Sequence, residues 1–106
     1  MKLEVHTFDP EFVNALMRKQ PVPEGEVLEL GSDARLVYVR TFSGRVKHFP
    51  QIVHFDVELL TDRGSGMISS WLFEHVGRRS IERILVDHQD IKLDVDRLRD
   101  ALDRSR

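Results

Sequence analysis

Residues 51–61 read QIVHFDVELLT. Val53, Phe55, Val57 and Leu59 alternate with His54, Asp56 and Glu58. Strict alternation predicts a β-strand with one face on a core and the other in water. The apolar side shows where the core is. The opposite side lines up three ionisable groups. Residues two apart on a strand stand about 6.6–6.8 Å apart, so neighbours among the three could share an ion or form an acid–base pair. The outer two, about 13 Å apart, could not. A catalytic metal centre also needs ligands from other elements, and the sequence implies neither a metal nor a cofactor. The plainest reading of the three is the solvated face of a half-buried strand.

The whole chain sets the bounds on this strand's surroundings. A length of 106 residues predicts one compact domain. With 41% hydrophobic residues, 32% charged residues and a net charge of −2, the chain is neither disordered nor globally suited to nucleic acid. The absence of cysteine excludes disulfides, thiolate ligands and a cysteine nucleophile. MKLEVHTFD is not a signal peptide, and no apolar run approaches the ~20 residues that cross a bilayer. These features predict a soluble cytoplasmic protein.

Before the central strand, Leu3 and Val5 mark a short strand. Asp9-Pro10 is a helix start, with Asp9 as cap, Pro10 in the first turn and Phe8 stapled on Val13. Phe12, Val13, Leu16 and Met17 form its stripe. Arg18 and Lys19 fall in its last turn, and Pro21 and Pro23 stop it. Val27–Leu30 and Leu36–Phe42 read as strands separated by the turn Gly31-Ser32-Asp33. Residues 43–50, SGRVKHFP, read as a hairpin or flap.

After the central strand, Asp62–Gly66 is a turn. Met67, Ile68, Trp71, Leu72 and Val76 then fit a helical stripe, with Phe73 off it and Gly77 as terminator. A fifth strand is the rival reading. Residues 84–86 and 91–93 predict a hairpin around a four-residue loop. Asp94 caps a last helix striped by Val95, Leu98, Ala101 and Leu102. The order β-α-β-β-β-α-β-β-α predicts an α+β fold: a mainly antiparallel, curved sheet with two or three helices packed on one face. The WL helix, hairpin and capped helix at the end loosely resemble small accessory domains of bacterial conflict systems, a likeness that assigns no residue a role.

A second feature is chemical. From Ala34 to Phe55 there is no acid, but there are Arg35, Arg40, Arg45 and Lys47, with His48 and His54 in the same run. Phe42 and Phe49 are interleaved with them. Cations with aromatics suit phosphate and base contacts and equally suit protein interfaces. A solvated hairpin with inward phenylalanines is the plain alternative. Gly64-Ser65-Gly66 matches neither phosphate-loop nor dinucleotide spacing. Ser69-Ser70 lacks a nucleophile elbow. His6, His75 and His88 stand alone in sequence.

The residues favour a small non-catalytic protein-binding domain of immunity, inhibitor or adaptor type. Arg40, Phe42, Arg45, Lys47, His48, His54, Asp56 and Glu58 are the candidate binding residues, and the expected partner is another protein with an acidic surface. One alternative is a small hydrolase or nuclease using His48 or His54 with Arg40 or Arg45. The other is a homo-oligomeric structural protein that buries a sheet edge or face.

Overall fold

The computed structural model describes residues 1–43, 49–76 and 81–106, with the backbone alone at 75 and 76. Arg45, Lys47 and His48 of the candidate surface and the helix terminator Gly77 lie outside them. Six strands and three helices follow one another as β1 Lys2–Thr7, α1 Phe12–Met17, β2 Val27–Leu30, β3 Ala34–Phe42, β4 Gln51–Leu59, α2 Gly64–Val76, β5 Ile81–Val86, β6 Gln89–Ile91 and α3 Val95–Ser105. The sheet is antiparallel and not closed, in the order β2-β3-β4-β1-β5-β6. The element order and the α+β class are those the sequence predicts.

The central strand keeps its alternation. Val53, Phe55 and Val57 are buried, Asp56 and Glu58 are exposed, and Leu59 at the strand end is half-buried. Leu3 and Val5 of β1, Leu36 and Tyr38 of β3, and Ile84 and Val86 of β5 bury the same side. Phe55 packs its ring against Phe12 of α1 and Tyr38 of β3. The three helices add Leu16, Ile68, Leu72, Leu98 and Leu102 to this one core. Among the described residues all three helices pack on that side, and the other side of the sheet carries none.

Four local expectations are corrected. First, α1 begins at Phe12 and its N-cap position is Glu11, which makes no side-chain cap bond. The Asp9 carboxylate accepts the N–H of Glu11 in a turn that precedes the helix, and Phe8 stays about half exposed (53%) instead of stapling Val13. Second, Arg18 is the left-handed C-cap of α1, and Lys19 pairs with Glu26 at 3.0 Å instead of serving the helix end.

Third, α2 is a helix, but it presents Ser65, Ile68, Ser69, Leu72 and Phe73 to the core, while Met67 is exposed and Trp71 only partly buried. Hydrophobicity alone misplaces this face because two serines lie on it. Fourth, the β5–β6 connection is a two-residue turn, Asp87-His88, both with positive φ. Left-handed pairs of this kind match the twist of a hairpin, and Asp and His tolerate them better than most residues.

Candidate functional site

The helix-free face is built from alternate positions of β1, β4 and β3. Lys2 stands across from Asp56, Glu4 from His54, and His6 from Ile52. On the other flank, β3 contributes Arg40 opposite His54 and Phe42 opposite Ile52. That placement depends on a bulge. Tyr38 pairs with Phe55 and Arg40 with the very next residue, His54, so Val39 is an extra residue. The buried positions of β3 up to there are Ala34, Leu36 and Tyr38. Uninterrupted alternation would have sent Arg40 and Phe42 inward as well. The bulge turns both outward and brings Thr41 round to Tyr38, whose hydroxyl meets the Thr41 Oγ1 at 2.6 Å.

Phe42 is the centre of the resulting cluster. The His54 ring meets it edge to face, 5.3 Å between centroids, and the Arg40 guanidinium lies 5.8 Å from its centroid. Both are ordinary attractive geometries for an aromatic ring. His54 Nδ1 lies 3.6 Å from one oxygen of Glu4, and His6 Nε2 lies 2.9 Å from the other. One carboxylate therefore stands between two imidazoles. Arg40 has no carboxylate partner among the described residues, whereas Arg35 is held by Glu58 at 3.0 Å and Glu29 at 3.3 Å.

Two hollows flank Phe42. One, of about 290 Å³, is lined by Lys2, Arg40, Phe42, His54, Asp56 and His88, with Val39 and Phe55 beneath. The other, of about 390 Å³, is lined by Phe42, Phe49, Pro50 and Ile52 with Ser43 and His6. Most side chains lining the first are exposed, so it is a depression in a surface more than a walled pocket. It contains no hydroxyl or thiol nucleophile among the described residues. Among the described residues no three His, Cys, Asp or Glu side chains converge on a metal position, and no helix is long and apolar enough to cross a membrane.

Of the residues singled out from the sequence, Arg40, Phe42, His54 and Asp56 come together. Glu58 does not: its carboxylate is engaged by Arg35, away from both hollows. Lys2, Glu4, His6 and His88, which are not among the candidate binding residues, join the site. The alternation in Lys2-Leu3-Glu4-Val5-His6 already points the three polar residues to one face; that this face adjoins His54 follows only from the β1–β4 pairing. Ser69, by contrast, is fully buried. Comparison of the chain with protein-family models, with curated proteins and with solved structures gives no match.

Proposed function

We propose that this chain is a small non-catalytic protein-binding module, of immunity, inhibitor or adaptor type, acting in the cytoplasm, and that the helix-free face of its sheet is the binding surface. The observation that carries this reading is Phe42. It is 51% exposed, between Arg40 and His54, and Phe49, at 67%, is exposed beside it. A large aromatic left in water forgoes about 1.5–3 kcal/mol of burial, and a partner that covers it recovers that. Aromatic residues and arginine are also the commonest anchors of protein interfaces. Arg40, without a carboxylate of its own among the described residues, favours an acidic partner; Arg45 and Lys47 are proposed to extend the same cationic surface.

The test is association with the partner recovered from the native host. Arg40→Glu should leave folding within about 0.5 kcal/mol and slow association most at low ionic strength, because rim charges act on encounter and are screened by salt. An unchanged rate at low salt rejects the surface.

A hydrolase or nuclease built on His54 is the second reading. The Glu4 carboxylate beside His54 Nδ1 favours it, since a carboxylate there orients an imidazole as a base. Cleavage of an ester or RNA substrate that His54→Ala abolishes would establish this reading against the first.

A further inference from the structure

Resting on the protein-binding reading, we infer that the partner contributes an extended segment with one carboxylate and, two residues away, one apolar side chain. The carboxylate enters the hollow of Lys2, Arg40 and His88; the apolar group fills the hollow of Phe42, Phe49 and Ile52.

The layout carries the argument. Both hollows are lined by Phe42, so the two adjoin at that residue. Their chemistry differs. The first gathers Lys2, Arg40, His54 and His88, with Asp56 as the one acid among the described lining residues; the second holds two phenylalanines, a proline and an isoleucine together with His6 and Ser43. In an extended segment, residues two apart project to the same side at about 6.6–6.8 Å. That spacing sets an acid and an apolar residue over two adjoining hollows.

Charge sets the number of acids. Lys2 and Asp56 stand opposite each other across β1 and β4, and as opposite formal charges in one lining they cancel in the net charge of the first hollow. Among the described lining residues Arg40 then remains as the unbalanced formal cation, with the His54 and His88 imidazoles lining the same hollow. This suits a single carboxylate and disfavours a long acidic run, which Asp56 and Glu4 would repel. Arginine presents a planar fork that a carboxylate meets with two parallel hydrogen bonds. The bulge at Val39 is what aims that fork outward, a use of bulges that recurs beside binding sites.

The experiment is a titration of the full chain, followed by backbone amide NMR, with a capped heptapeptide. The peptide carries one glutamate and, two residues on, one leucine in a glycine–serine background. Saturable shifts are expected at Arg40, Phe42, Ile52, His54 and His88. Replacing the peptide glutamate by glutamine, or Arg40→Gln in the protein, should each weaken binding about tenfold, the loss of one charge-assisted contact. Moving the leucine next to the glutamate should weaken it as well.

Equal binding of the glutamine peptide, no effect of Arg40→Gln, or no saturation at millimolar peptide overturns the inference. Shifts of the same amides with protein concentration alone overturn it too, because a second copy would then be the occupant. If the peptide fails while Phe42→Ala still slows association of the native partner, only this inference falls; if both fail, the binding face falls with it.

Discussion

Arg40 stands directly across from His54 because β3 spends two residues, from Tyr38 to Arg40, where β4 spends one. The relationship couples site to fold. The residue that breaks the ladder is Val39, and everything beyond it on β3 changes face. Deleting Val39 would close the bulge and leave Arg40 opposite His54 and Phe42 opposite Ile52, both still facing outward, because the residue after Tyr38 on a regular strand points away from the core. The deletion should therefore cost no more than an ordinary point change, about 0.5–3 kcal/mol, and Val39→Ala, which keeps the residue count and the bulge, less than about 1.5 kcal/mol. Urea unfolding of the two variants measures both; a deletion that prevents folding would show that the fold depends on the bulge.

Gly64 opens α2 at a close approach. A Cβ there would lie 2.5 Å from the Asp33 carbonyl oxygen and 3.2 Å from Leu59 Cδ2. That oxygen accepts the N–H groups of Leu60 and Thr61, so it is not free to move aside. At Gly66 the nearest atom would be Arg99 Cδ at 3.9 Å, an ordinary contact. Gly64→Ala should cost about 1–3 kcal/mol through overpacking. Gly66→Ala should gain about 0.4–1 kcal/mol through reduced freedom of the unfolded chain. Opposite signs in thermal unfolding are the expected result; equal shifts would contradict it.

The start of α3 behaves as its sequence implies. Asp94 is extended (φ −147°, ψ 133°), and its carboxylate accepts the Asp96 N–H at 2.8 Å. Leu98 and Leu102, fully buried, depend on this entry angle. Asp94→Ala should cost about 1 kcal/mol, and Asp94→Asn, which keeps the acceptor, only a few tenths. If alanine and asparagine prove equal in denaturant midpoint, the cap is not what holds the helix start.

Such features divide into those legible in sequence and those that are not. Asp94 was legible because capping is local, and so was β4, because a period of two over nine residues has one structural meaning. The end of β2 follows from the turn Gly31-Ser32-Asp33. The bulge at Val39 leaves no compositional mark: valine on either side of it fits a strand. The meeting of Glu4 and His6 with His54 joins strands some fifty positions apart, and local pattern cannot choose which strands pair. The buried face of α2 was misplaced because Ser65 and Ser69 lie where the pattern looks for apolar groups. The hairpin turn was read two residues too long because Asp87 and His88 carry no glycine to announce left-handed backbone.

Asp87 links that turn to the site. Its carboxylate accepts the backbone N–H of Lys2 at 2.8 Å, and its own N–H donates to the Lys2 carbonyl. The bond from Lys2 is the main cause that holds the Asp87 carboxyl below its ordinary value of 3.8; burial, the next in size, opposes it, and Ser105, the terminal ammonium and His88 add smaller help. A carboxylate depressed in the folded state contributes stability above the unfolded value, near pH 3.9. That contribution is lost as the pH falls through the folded value. Asp87→Asn should therefore lower stability at pH 6 and flatten the decline below about pH 4, since asparagine tolerates the left-handed backbone but cannot titrate. The check is the difference in urea midpoint between pH 6 and pH 3, which should be smaller in the variant. His88, next along the turn, lines the cationic hollow, so its amide signal should shift with the same substitution. A midpoint difference equal to that of the parent chain would show that the Asp87–Lys2 bond does not govern the acid limb.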